Sequence, residues 1–318
     1  MTQSIARPRA LAFLCAALAL LNSPPTVLVA ARAGADFAVE IAPGVFVHQG
    51  RHALVSPENG GDISNCGFVV GKNGVAVVDT CGSAKLGGLL RAAVRAVTDR
   101  PIRYVINTHM HPDHVFGNAA FADDAPAFVA HAKLARGLAA RSQRYLAVNE
   151  QLMSEAAFAG TRIVLPTLAV EDHTTLDLGG RTLELEAQDT AHTDNDLTIR
   201  DNATGTVFLG DLLFAEHVPT LDGSIRGWIS LMKRLTRQPA QRVVPGHGPP
   251  SMPWPAAAKA LERYLDRVAG DVRRQIKDGR TLAEAAATAG VSEKGAWLLF
   301  EDYHARNVTA AFAELEWE

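Results

Sequence analysis

The sequence predicts a mixed α/β sandwich with a helical C-terminal addition, and three observations predict it. Short β-branched runs alternate with helix-period stretches from Phe37 onward. Polar residues recur immediately after several of the apolar runs, where a strand would end. After Pro255 the pattern turns wholly helical, and no low-complexity linker or short-period repeat divides the chain.

Taken in order, residues 37–49 are β-like and residues 51–64 form a polar, Gly-containing loop. A hairpin follows between Cys66 and Cys81. From Ser83 a helix is expected, because Leu86, Leu89, Leu90, Ala93, Val94 and Val97 share one helical face. Ile102-Arg103-Tyr104-Val105-Ile106-Asn107 reads as a buried strand, residues 127–130 as a shorter one, and residues 133–158 as a long helical stretch. Strands are then expected at 175–178, 181–186, 197–200 and 206–209, a helix at 224–235, and a last strand at Val243-Val244. In the C-terminal part, Thr281 and Glu284 have the spacing of a capping box. The layout favours one main domain over residues 34–255, with residues 256–318 as a helical extension packed on it.

The first 33 residues read as a secretory signal. Arg7 and Arg9 precede an apolar run from Ala10 to Leu21, and Ala31-Arg32-Ala33 resembles a cleavage site. That run is too short for a permanent bilayer anchor, so a periplasmic or secreted protein is expected, without a membrane anchor after cleavage. The chain carries 31 Lys and Arg against 34 Asp and Glu, a net charge of −3. With no basic block in the remainder, nucleic acid gains no electrostatic support as a partner. A small-molecule substrate is the expected partner.

Of three cysteines, Cys15 leaves with the signal. Asn73-Gly74 between β-rich runs is a hairpin signal; taken as a two-residue loop, it sets Lys72 opposite Val75 and Cys66 opposite Cys81. Opposed Cα atoms lie within disulfide reach, and an oxidising compartment would permit the bond; two buried thiols are the alternative.

The densest chemistry is His109-Met110-His111-Pro112-Asp113-His114, just past the expected strand at 102–107. Three further positions share that setting: His192 in Ala191-His192-Thr193, Asp211 in Gly210-Asp211-Leu212, and His247 in Gly246-His247-Gly248. Five histidines and two aspartates exceed one tetrahedral zinc and suit two ions with Asp211 bridging.

The order of these motifs resembles the metallo-β-lactamase-fold hydrolases over about residues 37–250. The resemblance implies an αββα sandwich, with His109, His111 and His192 on a first metal, Asp113, His114 and His247 on a second, and Asp211 between them. Asp211 stands where cysteine-using lactamases carry a thiol, and so looks like the bridging residue of glyoxalase-II-like and lactonase-like members. Pro57-Glu58-Asn59-Gly60-Gly61-Asp62, His114-Val115-Phe116-Gly117-Asn118, Ala191-His192-Thr193-Asp194-Asn195-Asp196 and Leu221-Asp222-Gly223-Ser224-Ile225-Arg226-Gly227-Trp228 look like the SoxH-related quinoprotein relay system zinc metallohydrolases. The end of the chain, Phe312-Ala313-Glu314-Leu315-Glu316-Trp317-Glu318, fits the same group.

That resemblance implies an exported dizinc hydrolase using a metal-bridging hydroxide on a small ester, lactone, thioester or amide. It further implies a functional link to PQQ-dependent dehydrogenases and cytochrome c components. Asp113 is the candidate catalytic residue, mainly a ligand and also able to orient the hydroxide. Other readings are a mononuclear iron enzyme like the persulfide dioxygenases, a non-catalytic scaffold or cofactor carrier, and β-lactam hydrolysis as a side activity. Two zinc ions fit the donor set, and iron is the alternative metal. His217 and Asn195 are candidate substrate contacts, with the loops 51–64 and 215–226. Asn195 and Asp196 are also candidates for orienting His192. His48, His52, His131, His173 and His304 have no shared motif and are expected to be structural.

Overall fold

The computed structural model describes residues 1–2 and 36–318, so nearly all of the signal segment expected at 1–33 lies outside the described residues. Among the described residues two sheets stack face to face. The first has seven strands in the order β1 (Val39–Ala42), β2 (Val45–His48), β3 (Cys66–Val70), β4 (Val75–Val78), β5 (Ile102–Ile106), β6 (Ala127–His131) and β7 (Leu168–Val170). β1 to β4 pair antiparallel and β4 to β7 parallel. The second runs β12 (Arg242–His247), β11 (Thr206–Phe214), β10 (Leu197–Asp201), β9 (Thr182–Ala187) and β8 (His173–Asp177), antiparallel except for the parallel β11–β12 pair.

Each sheet has two apolar faces, which explains the nearly continuous hydrophobic runs at 75–78 and 206–214. Val45, Val69, Ala76, Ile106 and Val129 of the first sheet meet Leu183, Leu185, Ile199, Phe208 and Val244 of the second. The first sheet's outer face is covered by α1 (Ala84–Val97) through Leu90 and Val94 against Phe68, Val77 and Val105. Ser83 caps that helix by accepting from the Leu86 N–H. α2 (Pro112–Val115) is one turn, and α3 (Leu134–Leu152) and α4 (Glu155–Phe158) continue on the same side.

The second sheet's outer face is covered by α5 (Ile225–Leu235), α6 (Lys259–Lys277) and α8 (Phe300–Leu315), with α7 (Leu282–Thr288) between the last two. Trp228 and Tyr264 are fully buried there beside Leu213 and Phe214 of β11. Burying a large apolar side chain contributes roughly 1.5–3 kcal/mol, so this layer is integral to the sheet it covers. The layers run α/β/β/α, with the C-terminal helices inside the last one. No helix among the described residues is long and apolar enough to cross a membrane.

The structure changes several expectations. The hairpin pairs Val70 with Val75 and Gly67 with Val78, so its register is offset by two from the expected one. Gly71 and Gly74 continue the register through Gly71 N–H to Gly74 O, 2.9 Å, which leaves Lys72 and Asn73 as the turn. The cause is tertiary: the Asn73 N–H donates to Leu178 O in the β8–β9 turn at 2.7 Å, which holds the turn one residue earlier than Asn73-Gly74. The cysteines still meet, because left-handed Asp79 (φ 53°) and Cys81 (φ 63°) curl the chain back beyond β4. Their sulfurs lie within bonding distance and their Cα atoms are 5.7 Å apart. The helical stretch at 133–158 breaks at Met153, with Ser154 capping α4 through the Ala157 N–H. β7 was not expected; its three residues gain a strand's geometry by pairing with β6. The capping box forms as read.

Candidate metal centre

The seven motif residues converge at one edge of the sandwich, at the C-terminal ends of β5, β11 and β12. His109 and His111 come from the loop after β5, and Asp113 and His114 from α2. His192 follows β9, and His247 closes β12. Asp211 differs from the expectation that it lies past a strand: β11 continues through it to Phe214. A bulge makes this possible. Gly210 is left-handed (φ 50°), and the pairing of β11 with β12 slips on both sides of it. A Cβ at Gly210 would lie 2.6 Å from the Thr108 side chain, and one at Gly246 only 1.9 Å from Asp211 Oδ1. Gly246 therefore makes room for the carboxylate and Gly210 for Thr108.

Two donor quartets result, and Asp211 belongs to both. In the first, His111 Nδ1 lies 3.1 Å from His109 Nε2 and 3.0 Å from His192 Nε2. Asp211 Oδ2 stands 3.6 and 3.3 Å from the same two Nε2 atoms. In the second, Asp211 Oδ1 lies 3.2 Å from His114 Nε2 and 3.4 Å from His247 Nε2. Asp113 Oδ2 is 3.5 and 3.3 Å from those nitrogens. Ligands about 2.0–2.1 Å from a tetrahedral ion would be separated by about 3.3–3.4 Å, and the distances here, 3.0–3.6 Å, bracket that value.

The outer hydrogen bonds decide which atoms face inward. His109 Nδ1 donates to Thr108 Oγ1 (3.0 Å), whose own proton goes to Asp79 Oδ2 (2.8 Å). His114 Nδ1 donates to the same Asp79 oxygen at 2.9 Å. His192 Nδ1 donates to Thr220 O (2.7 Å) and His247 Nδ1 to Ile63 O (2.8 Å). His111 is turned the other way, giving Nε2–H to Asp222 Oδ2 at 3.0 Å. With the outer nitrogens donating, each inner nitrogen presents a lone pair. Three such lone pairs about 3 Å apart repel unless a cation sits among them. His114 Nε2 and Asp211 Oδ1 are buried with no hydrogen-bond partner, which again fits a cation between them.

Acid–base behaviour agrees. Burial drives His192 down to about 3, keeping it neutral. Burial also opposes charge on His247, but the Asp211 and Asp113 carboxylates outweigh it and raise that imidazole to about 9. Asp113 would be neutralised by burial, yet His114 and His247 hold it at about 2. The second quartet thus attracts positive charge, as a cation or as protons.

A cavity of about 700 Å³ opens onto both quartets. Of the candidate substrate contacts, His217 lines it; this residue is 3% exposed and its ring lies 5.1 Å from that of His247. Ile63 and Thr220 bring the two expected loops to the same wall. Asn195 does not reach the cavity. It is fully buried, its amide donates to Asp194 at 2.8 Å, and its N–H is taken by Thr193. Nor do Asn195 and Asp196 orient His192, whose outer nitrogen is held by Thr220; Asp196 accepts from Thr193 instead. His48, His52, His131, His173 and His304 belong to neither quartet. Sequence reasoning missed Asp79, Thr108 and Asp222 as supporting residues, and Arg141, Arg144, Tyr145, Tyr303 and Arg306 as cavity walls. Asp222 alone had a signal, since it lies in one of the quoted motifs.

An αββα fold whose sheet edge gathers two donor quartets around a shared carboxylate presents a donor set that fits metal ions. Residues 59–247 match the family model of the metallo-beta-lactamase superfamily, and the chain belongs to that superfamily. Among solved structures, a metallo-beta-lactamase from Pontibacter korlensis is similar at 20% identity and TM-score 0.56, covering 72% of this chain and 98% of its own. TMB-1 is similar at 18% identity and TM-score 0.57, over 73% of this chain and 97% of its own. A metallo beta lactamase from Hirschia baltica gives 18% identity and 0.55, over 72% and 96%. These similarities are of fold. No curated protein matches the chain.

Proposed function

We propose that the protein is an exported, zinc-dependent hydrolase of a small ester, lactone, thioester or amide. The observation that carries this reading is the pair of donor quartets sharing Asp211, open to a cavity of substrate size. His109, His111, His192 and Asp211 Oδ2 would hold one ion, and Asp113, His114, His247 and Asp211 Oδ1 the other. Such a pair, when bound, supplies an acidified water and a Lewis acid for the acyl oxygen. The chain's own residues do the rest. Asp79 fixes His109 and His114, Asp222 fixes His111, and Asp113, at the cavity wall, is the carboxylate able to orient the attacking water. His217 and Phe214 close one wall and limit bulk water.

The quoted motifs further support membership of the quinoprotein relay group, with a role beside PQQ-dependent oxidation in the periplasm. His109→Ala or Asp211→Ala should lower bound metal and abolish hydrolysis. The test is metal analysis of the purified chain with turnover on a lactone, thioester and β-lactam panel. About two zinc ions with hydrolysis supports the reading. One iron with oxygen consumed on a persulfide, or bound metal without any turnover, would replace it.

A further inference from the structure

Two helices from distant parts of the sequence face each other across the mouth of the cavity, and each presents tyrosine and arginine. On α3, Arg141, Arg144 and Tyr145 are spaced three and four residues apart and share a face. On α8, Tyr303 and Arg306 are one turn apart. All five line the cavity.

Their charges are not balanced from within. Asp222 is the carboxylate among them outside the two quartets, and it is already engaged: Oδ2 accepts from His111 and Arg141. Arg306 stands 3.9 Å from Asp222 Oδ1, too far for a hydrogen bond. Arg144 has no carboxylate partner among the described residues, and the Tyr303 hydroxyl has no hydrogen-bond partner there. Both guanidinium groups, of Arg144 and Arg306, are exposed at the mouth, whereas Arg181 is fully paired with Asp201 and Arg91 with Asp124. At the mouth it leaves two guanidinium forks and a phenol aimed at the same volume.

We propose that this mouth is an anion subsite: the substrate is a small acyl compound bearing a carboxylate or similar anion, gripped between Arg144 and Arg306 with Tyr303 donating. Arg141 is held by Asp222 and braces the wall. A guanidinium fork matches a carboxylate through two parallel hydrogen bonds, and at exposed groups such as these the attraction weakens as salt is added. The hydrolase reading enters only in deciding that the far end of such a molecule is the end cleaved. The C-terminal helices thereby become specificity elements, supplying half of the grip.

The test compares 4-nitrophenyl hemisuccinate with its methyl ester, which share the scissile bond and differ in one charge. The charged ester should be favoured in kcat/KM, with a preference that shrinks as salt is added. Arg144→Met/Arg306→Met should cut the charged-to-neutral ratio about tenfold or more. Arg237→Met, an exposed arginine away from the mouth, should leave the ratio as it is. Calorimetric binding of succinate to the same proteins is read in parallel. Succinate should bind the unaltered protein and bind the double variant at least about tenfold more weakly. Equal binding by both, or no binding, overturns the subsite even if hydrolysis is found. If succinate binding depends on the two arginines but neither ester is cleaved, the subsite stands and the hydrolase reading fails.

Discussion

Gly246 gives the sharpest test of the shared carboxylate. A Cβ placed there would lie 1.9 Å from Asp211 Oδ1 and 2.8 Å from the Asp211 backbone nitrogen. Real Cβ contacts do not fall below about 3.0 Å, so Gly246→Ala must push the carboxylate or β12 by about 1 Å. Overpacking of this kind costs about 1–3 kcal/mol in stability, a cost that a domain of this size survives. A ligand bond of about 2.0–2.2 Å does not survive a shift of that size, and Asp211 serves both quartets. The expected result is a folded protein, by circular dichroism, with a modestly lowered Tm and both ions weakened together. The assay is inductively coupled plasma mass spectrometry after gel filtration, beside thermal unfolding. Gly246→Ala protein that retains both ions at unaltered affinity would refute the reasoning.

Three further outcomes follow from other parts of the molecule. Within α1, Gly88→Ala meets open space and should stabilise by about 0.5–1 kcal/mol, whereas Gly87→Ala would place its Cβ 2.4 Å from Gly117 O and should destabilise; denaturant midpoints check the opposite signs. Asp79→Asn keeps a residue that tolerates the left-handed backbone but removes the charge that accepts from Thr108 and His114. It should weaken metal binding by about 10–100-fold, measured by competition with a chelator. His304 lies buried between the Tyr264 hydroxyl and Ala289 O, and burial lowers its pKa below the usual imidazole value. Its contribution is therefore complete above the unfolded value near 6.5 and is lost as pH falls through the lower folded value. His304→Asn should flatten that acid limb of the stability curve, and an unchanged slope would count against it.

The clustered donors were legible in the sequence because each sits in a short motif at or near a strand end, where a fixed scaffold presents side chains. His109 to His114, His192, Asp211 and His247 were all readable from that setting. What could not be read depends on contacts between remote segments. Asp79 supports two histidines only because a left-handed turn after β4 swings it under them. Arg144 and Arg306 look like ordinary helix-surface residues until the fold brings α3 and α8 to one cavity. The hairpin register failed for the same reason: Asn73-Gly74 carries a local turn preference, and the hydrogen bond to Leu178 overrides it. Asn195 misled because a polar residue close to His192 in sequence satisfies its neighbours rather than the cavity.

The Cys66–Cys81 contact joins two segments that support the centre. Next to Cys66, Asn65 holds the β12 end that carries His247, through Gly246 O at 2.7 Å and Pro245 O at 2.9 Å. Two residues before Cys81, Asp79 holds His114 directly and His109 through Thr108. Joined sulfurs would act as a fixed spacer between these two anchors, set when the chain folds and indifferent to pH. The position of His247 relative to His109 and His114 would then be written into the covalent chain, and an arriving ion would meet a gauge already cut to width.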